Sequence, residues 1–160
     1  MDTRPLAIIM DRDGTLANIH NGPIKSANDS SWAAYNASLR FDRPVPLVVA
    51  LLNSIRPGVV RIMVSGRAEG DHPGDKRRRW AMEDWVYKYD IQVDELFMRE
   101  GGDRRLDSVV KEELLLRDIL PRFNPVVAVD DREAVCQVWR RYNIHVIPVV
   151  NPGELPLIGS

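Results

Sequence analysis

Acidic residues follow apolar runs at two widely separated points of the sequence. Asp11 and Asp13 come directly after a first apolar run, and Asp130 and Asp131 come directly after a later one. Converging carboxylates repel one another, and a hard cation such as Mg²⁺ commonly compensates them. Beside a metal ion and a phosphate, one carboxylate can act as a nucleophile and a second can move protons. The residues therefore favour phosphoryl-transfer chemistry, which depends on positioning and charge neutralisation.

Three further side chains could hold a phosphate near these acids. Thr15 and Ser65 can donate hydrogen bonds to phosphate oxygens. Lys111 is expected in the first turn of a helix, where the helix dipole disfavours a cation unless an anion lies nearby. Asp107 stands four residues earlier on the same helical face and could orient Lys111.

Each of these features also has a purely structural alternative. The triplet at residues 65–67, Ser-Gly-Arg, is a common turn sequence. Asp130 and Asp131 could cap a helix and place an acid in its first turn. Lys111 could be a solvated surface residue. The occurrence of all these features in order, most of them at strand ends, favours one shared site.

Strand and helix patterns alternate five times along the chain. The predicted strands cover residues 6–10, 59–64, 94–98, 126–129 and 145–150, and the predicted helices cover residues 47–52, 76–89, 108–120 and 133–142. Residues 17–46 are otherwise a polar loop with a short helix at 32–39, and residues 151–160 form a tail. The alternation predicts one α/β domain over residues 1–160, a Rossmann-like, mostly parallel five-stranded sheet with helices on both faces. The carboxyl ends of its strands share one edge.

The composition is that of an ordinary globular protein. The chain has 160 residues and a formal net charge of −1, which argues against binding nucleic acid through bulk charge. Cys136 is the only cysteine; we expect it to pack in the core, and it indicates a reducing compartment, namely the cytoplasm, or the host cytoplasm if a phage encodes the chain. The N-terminal apolar run is too short for a signal peptide or a membrane span.

A basic run precedes a tryptophan at residues 76–80, Lys-Arg-Arg-Arg-Trp. One interpretation is a contact to a nucleic-acid backbone with an adjacent stacking ring. The other is a solvated helix start, balanced by Glu83 and Asp84 downstream. The sequence alone leaves both interpretations open.

The motifs resemble those of a known superfamily. Asp11-Arg12-Asp13-Gly14-Thr15, Ser65, Lys111 and Asp130-Asp131 resemble, in order, the four motifs of the haloacid dehalogenase (HAD) phosphohydrolases. Residues 99–103, 109–113, 129–132 and 138–141 resemble the 3′-phosphatase domain of bacteriophage-type polynucleotide kinase–phosphatase. The resemblance covers nearly the whole chain.

The resemblance implies a role for each matching residue. Asp11 would be the nucleophile and Asp13 the general acid–base, with Lys111 as a further catalytic side chain. Mg²⁺ would be bound by Asp11, Asp130 and the main-chain carbonyl of Asp13, with Asp131 close by. The residues implied in holding the substrate are Thr15, Ser65, Gly66, Arg67, Arg99 and Asp107.

The chain departs from the resembled pattern in three places. Asn21 stands where the phage-type enzymes carry an Arg before Gly-Pro, and Lys25 is the candidate replacement. Arg12 is charged where an apolar residue is common. A Gly-x-x-x-x-Gly-Lys-Ser/Thr phosphate loop is missing from the sequence, so we expect a free-standing phosphatase module without ATP-dependent kinase activity.

The spacing between the motifs is too short for a full cap domain, so we expect an open site that admits the end of a polymer. The expected activity is Mg²⁺-dependent removal of 3′-phosphate, and of 2′,3′-cyclic phosphate, from DNA or RNA ends. We expect a separate kinase or ligase as its partner, and we expect no association with a membrane. The alternatives are a phosphatase of small nucleotides or metabolites and, against the presence of all four motifs, a non-catalytic protein that binds nucleic-acid ends.

Overall fold

The computed structural model describes residues 2–18 and 37–150, and its described strands form two sheets. The strands are β1 (Leu6–Asp11), β2 (Ala17–Asn18), β3 (Arg43–Pro44), β4 (Val60–Ala68), β5 (Glu95–Arg99), β6 (Asn124–Asp130) and β7 (His145–Pro148). Five of them form a parallel sheet in the order β5-β4-β1-β6-β7. The predicted five-stranded parallel sheet is therefore confirmed.

Within residues 2–18 and 37–150, four complete α-helices accompany this sheet. They are α1 (Pro46–Asn53), α2 (Arg77–Lys88), α3 (Asp107–Leu114) and α4 (Glu133–Arg141). One apolar core joins α3 and α4 to the sheet through residues such as Val110, Val135 and Trp139. A second core joins α1 and α2 to the sheet through Leu52 and Trp85. The two separate cores confirm helices on both faces of an α/β sheet.

Strand β1 lies at the centre of the molecule because both of its faces are apolar. Ala7 and Ile9 belong to the core under α3 and α4, whereas Ile8 and Met10 belong to the core under α1 and α2. This division follows from the alternation of side chains along a strand. The buried strand ends at Asp11 and so delivers a carboxylate to the sheet edge.

The polar segment after β1 begins and ends in a small antiparallel sheet. Ala17 pairs with Pro44 and Asn18 pairs with Arg43, where the sequence predicted only loop. Two-residue strands give too little alternation to be recognised from sequence. The helix predicted at 32–39 falls mostly outside the described residues, as does the predicted tail at 151–160.

Two predicted element boundaries were wrong. Strand β4 continues to Ala68 through the triplet that resembles a turn, and its pairing with β5 shifts register between Ser65 and Ala68. Helix α3 ends at Leu114 and is followed by a π-helical turn, Leu115–Ile119, in place of α-helix up to residue 120. Ser65 and Arg67 are buried at the irregular end of β4, and the π turn buries Leu115 and Ile119.

Among residues 2–18 and 37–150, we find no helix with the length and apolar character needed to cross a membrane.

Candidate active site

Three adjacent strands bring the predicted site residues to one edge of the sheet. Asp11 ends β1, Asp130 ends β6, and Ser65 lies near the end of β4. Because β1 lies between β4 and β6 and all three run parallel, these side chains meet despite their separation in sequence. The predicted convergence is therefore present in the structure.

Lys111 lies between three acidic side chains, those of Asp11, Asp107 and Asp130. Its Nζ is 2.6 Å from Asp11 Oδ1, 3.0 Å from Asp130 Oδ2 and 3.5 Å from Asp107 Oδ2. Burial alone would lower the pKa of Lys111, but Asp107, Asp11 and Asp130 together raise it well above its usual value. Lys111 is in the second turn of α3 rather than the first, so carboxylates, and not the helix dipole, account for this buried cation.

Asp11, Asp130 and Asp131 could hold a metal ion. They offer oxygens that all lie within 4.8 Å of one another. Asp11 Oδ2 and Asp131 Oδ1 are buried and have no hydrogen-bond partner within the described part of the chain. Unpaired buried carboxylate oxygens are costly, and Mg²⁺ is a hard cation that prefers oxygen ligands. The donor set therefore fits the predicted Mg²⁺.

Two of these acids have pKa values above their usual range. Burial, opposed by Lys111, raises the pKa of Asp11 well above its usual value, and Asp130 and Asp131 raise it further. Burial and the neighbouring Asp130 raise the pKa of Asp131 to about 6. A bound cation would favour the ionised forms of both carboxylates.

Gly14 makes room for one of the metal-binding candidates. Its φ of +86° lies in the left-handed region, and a Cβ added there would be 2.1 Å from Asp131 Oδ2. Only glycine therefore allows the loop after Asp13 to turn beneath Asp131.

Asp13 is bound by two arginines, Arg12 and Arg67. Arg12 Nη1 lies 2.5 Å from Asp13 Oδ1, and Arg67 Nη2 lies 2.9 Å from the same oxygen. Burial would raise the pKa of Asp13, but Arg12 and Arg67 outweigh it and hold that pKa well below its usual range. Asp13 is therefore ionised in this arrangement.

Asp42 completes a ring of four buried charges that sequence analysis missed. Its Oδ2 lies 2.8 Å from Arg12 Nη1 and 2.9 Å from Arg67 Nη2, and its side chain is fully buried. Asp42 stands in the polar segment before β3, where its neighbours give no sign of burial. The charge of Arg12, between Asp11 and Asp13 in the sequence, was the available signal that a buried partner must exist.

The predicted phosphate-binding residues lie around this ring. Ser65 is fully buried, and its Oγ donates to Asp13 Oδ2 at 3.4 Å and accepts from the Arg67 backbone N–H at 3.2 Å. Thr15 is also fully buried, and its Oγ1 has no partner among the described residues. Gly66 lies against Asp107, since an added Cβ would be 1.8 Å from Asp107 Oδ1.

Arg99 and Asp107 form a second layer beneath the site. Arg99 Nε donates to the Gly66 carbonyl at 2.6 Å, and Arg99 Nη2 lies 3.5 Å from Asp107 Oδ1. Asp107 also lies 3.6 Å from Arg132, a cation that the sequence analysis did not single out. Burial would raise the pKa of Asp107, but Lys111, Arg132 and Arg99 lower it. Arg99 thus orients Gly66 and Asp107 in the arrangement seen here.

The four cations of the basic run are paired within their own loop and helix. Lys76 and Arg79 contact Glu69, and Arg77 and Arg78 contact Asp71. Arg77 also pairs with Asp75, at 2.8 Å. These pairs favour the structural interpretation of the run, and only Trp80, 61% exposed, remains as a stacking candidate. Lys25 and Asn21, which concern substrate recognition, lie outside the described residues.

The fold and the site together define a HAD-like domain. A haloacid dehalogenase-like hydrolase from Streptococcus pneumoniae shares the fold, with a TM-score of 0.57 and 15% identity over 90% of this chain and 84% of that one. More specifically, residues 5–154 match the family model of the polynucleotide kinase PNKP phosphatase domain. The chain belongs to that family, which confirms the resemblance seen in the motifs.

Two relatives, whose names refer to a polynucleotide kinase/RNA ligase and to an RNA repair complex, are similar to this chain over most of its length. A putative bifunctional polynucleotide kinase/RNA ligase of Autographa californica nuclear polyhedrosis virus is 28% identical over 147 residues, which are 91% of this chain and 19% of the relative. A chain in the structure of the Pnkp1/Rnl/Hen1 RNA repair complex is 32% identical, with a TM-score of 0.75, and the match covers 92% of this chain and 43% of that one. This chain therefore spans less than half the length of either relative.

Proposed function

We propose that the protein is a Mg²⁺-dependent phosphatase that removes 3′-phosphate from DNA or RNA ends through an aspartyl-phosphate on Asp11. The observation that carries the proposal is the buried Asp11 carboxylate, bonded to Lys111 through one oxygen and unpaired at the other. Such a carboxylate is a nucleophile next to its own charge compensation. Membership of the PNKP phosphatase family supports the nucleic-acid end as substrate.

In the proposed first step, an Asp11 oxygen attacks phosphorus while the bond from phosphorus to the 3′ oxygen breaks. Asp13 delivers a proton to that leaving oxygen, and Lys111 offsets charge on the phosphate. In the second step a water molecule, deprotonated by Asp13, attacks the aspartyl-phosphate, which releases phosphate and restores Asp11. Mg²⁺, held by Asp11, Asp130, Asp131 and the Asp13 main-chain carbonyl, would neutralise phosphate charge.

The first step of this scheme requires that Asp13 be protonated. An ionised Asp13 is ready to act as the base of the second step, but it must take up a proton to act as the acid of the first. We expect the substrate phosphate to draw Arg67 from Asp13, because Arg binds phosphate oxygens through paired hydrogen bonds. The departure of one cation then favours protonation of the carboxyl.

A kinase or ligase is the proposed partner class, and 2′,3′-cyclic ends are a proposed second substrate. The names of the relatives support the former: one combines a polynucleotide kinase with an RNA ligase, and the other belongs to an RNA repair complex. Removal of a 3′-phosphate leaves a hydroxyl, which is the group that ligation of ends requires.

The direct test compares phosphate release from one oligonucleotide carrying 3′-phosphate, 5′-phosphate or 2′,3′-cyclic phosphate. We expect release from the 3′-phosphate, its loss on chelation of Mg²⁺, and its loss in Asp11→Asn. Asp94→Asn, a matched change on an exposed acid paired with Arg61, should leave the rate unchanged. Release mainly from the 5′ end would contradict the proposal.

Hydrolysis of small nucleotides or metabolites is the second candidate function. The internal pairing of residues 76–79 favours it, because it removes one reason to expect contacts along a polymer. A panel of nucleoside and sugar monophosphates decides between the two. Faster turnover of a free monophosphate than of the oligonucleotide would establish the small substrate.

A further inference from the structure

We propose that Arg12 is a positioning residue for Asp13, and that its guanidinium, anchored on Trp85 and Asp42, fixes the direction of the Asp13 carboxyl toward the leaving oxygen. This inference rests on the phosphatase reaction proposed above. Its basis is the ring in which Arg12 and Arg67 each contact both Asp13 and Asp42. A ring of two cations and two anions is balanced in charge and fixes each member through two neighbours.

The Arg12 guanidinium is held along its edge and across its face. Nη1 contacts Asp13 Oδ1 at 2.5 Å and Asp42 Oδ2 at 2.8 Å, and Nη2 donates to the Leu39 carbonyl at 3.0 Å. Its central carbon lies 4.4 Å from the centre of the Trp85 ring. A planar group bound in both directions cannot rotate without breaking several contacts.

The groups that hold Arg12 are themselves fixed to the core. Trp85 is 1% exposed, and its indole N–H donates to the Asp42 carbonyl at 2.8 Å. Trp85 belongs to α2, and it packs in the same apolar core as Leu39. The orientation of Asp13 is thus connected to a rigid helix on one face of the sheet.

Stability alone is a weak explanation for this ring. Removing four charges from water is costly, and replacement of a buried ion pair by apolar side chains is often neutral or stabilising. Arg12 contacts Asp13 directly, and Asp13 is the proposed proton-transfer group. The effect of Arg12 on that carboxyl is therefore the better explanation for a charge at this position.

Arg12 and Arg67 have different tasks in this scheme. If Arg67 turns to the substrate phosphate, Arg12 is the cation in the ring that still contacts Asp13. The loss of Arg12 should then matter most when the leaving oxygen needs a well-placed proton. An alkoxide leaving group has that need, whereas a nitrophenolate departs without protonation.

The test measures release of the leaving group in a single turnover, as 3′-hydroxyl oligonucleotide or as p-nitrophenolate, because this release reports the first step alone, before Asp13 acts as a base. For Arg12→Met we expect the rate of this step on the oligonucleotide to fall about 100-fold, the scale of a misplaced catalytic group. On the nitrophenyl ester we expect the rate of the same step to fall by no more than about threefold, with KM for both substrates nearly unchanged. Arg12→Lys keeps the charge without the planar fork, so its first-step rate on the oligonucleotide should lie between those of Arg12→Met and the wild type.

Two further variants separate positioning from folding. Arg61→Met makes the same chemical change near the start of β4, where Arg61 Nε lies 3.0 Å from Asp94, and it should alter neither rate. Arg12→Met combined with Asp42→Asn avoids an uncompensated buried anion. The melting temperature of this double variant should be higher than that of Arg12→Met. Its rate should still fall more on the oligonucleotide than on the nitrophenyl ester.

Each outcome decides a different point. Equal losses on both esters, or no loss on either, would overturn the positioning role of Arg12. If the wild type hydrolyses p-nitrophenyl phosphate but not the oligonucleotide, the proposed substrate is wrong, and glycerol phosphate replaces the oligonucleotide as the alkyl ester in the same comparison. A wild type inactive on every ester would overturn both the proposed function and the role of Arg12.

Discussion

Lys111 Nζ and Asp11 Oδ1 lie 2.6 Å apart, and the two side chains are only 1% and 5% exposed. At this depth the ammonium is the nearest compensation for a carboxylate crowded by Asp130 and Asp131. In the proposed reaction the same ammonium also offsets charge on the substrate phosphate. One lysine would thus stabilise the folded site and assist the reaction.

Loss of the Lys111 charge should destabilise the protein as well as inactivate it. Lys111→Met leaves the buried Asp11 and Asp130 without an ion-pair partner among the described residues, so we expect the unfolding free energy to fall by about 3–5 kcal/mol and kcat by about 10²–10³-fold. Denaturant unfolding without Mg²⁺ and phosphate-release assays measure the two effects. Lys88→Met, on an exposed position of α2, is the control and should change stability by less than about 0.5 kcal/mol. A fully stable, active Lys111→Met would contradict the role described for this side chain.

Mg²⁺ should stabilise the folded protein by binding to Asp11, Asp130 and Asp131. A ligand that binds only the folded state at 100 times its Kd adds about 2.7 kcal/mol. We expect the midpoint of thermal unfolding to rise with Mg²⁺ in the wild type, and this rise to vanish in Asp130→Asn. Asp94→Asn should retain the full rise. Because removal of one acid also relieves repulsion, the comparison uses the increment due to Mg²⁺ and not the absolute midpoint.

Gly66→Ala should displace Asp107 from its place beside Lys111. The added Cβ would meet Asp107 Oδ1 at 1.8 Å, so one of the two groups must move. We expect a stability loss of about 1–3 kcal/mol together with reduced activity. Gly58→Ala introduces the same methyl group where nothing lies within 4 Å, although the φ of +90° there carries some strain. It should cost stability without affecting kcat, and a normal kcat in Gly66→Ala would count against the importance of Asp107.

The buried thiol of Cys136 should be unreactive and should make the protein sensitive to alkali. Burial, then the nearby Asp130 and Glu133, raise the pKa of Cys136 from 9.0 to about 11. The unfolded thiol therefore ionises at lower pH than the folded one, so its stabilising contribution is complete below pH 9 and is lost as pH rises toward 11. At pH 8 the thiolate fraction is about 100-fold lower than in the unfolded chain.

Alkylation by iodoacetamide measures this difference. We expect modification in denaturant at least about 100-fold faster than in the native protein. Cys136→Ala should remove the part of the stability loss between pH 9 and 11 that belongs to the thiol. Rapid alkylation of the native protein would show that Cys136 is accessible.

The acids at the sheet edge could be predicted because each follows a buried strand. Periodicity locates the ends of β1 and β6, and parallel topology then brings Asp11 and Asp130 together. Lys111 was predictable from its sequence order among the motifs. The boundaries of β4 were not, since a bulged strand and a turn share the sequence Ser-Gly-Arg.

The charged ring could not be predicted in the same way. Arg12 and Asp42 are 30 residues apart, and the segment between them has no periodicity that fixes their contact. For residues 76–79 the sequence pointed to Glu83 and Asp84 as balancing acids, and of these Glu83 contacts Arg79 at 3.1 Å. The other ion pairs of the run are made with upstream acids, namely Glu69, Asp71 and Asp75. Local charge balance in the sequence thus indicated that the run is paired but not with which acids, and the long-range buried ion pair needed the fold.

The pairing of β2 with β3 fixes the two ends of the segment that lies between them in the sequence. Ala17–Pro44 and Asn18–Arg43 hold the chain where it leaves and re-enters the sheet edge. Loop-closure entropy grows slowly with length, so each doubling of the intervening segment costs only about 0.6 kcal/mol. Segments of different length and composition can therefore replace residues 19–36, provided that Leu39 and Asp42, which hold Arg12 beside Asp13, are kept. Asn21 and Lys25, the proposed recognition residues, belong to that replaceable part. We therefore expect that substrate range can be varied by design without altering the acids of the site.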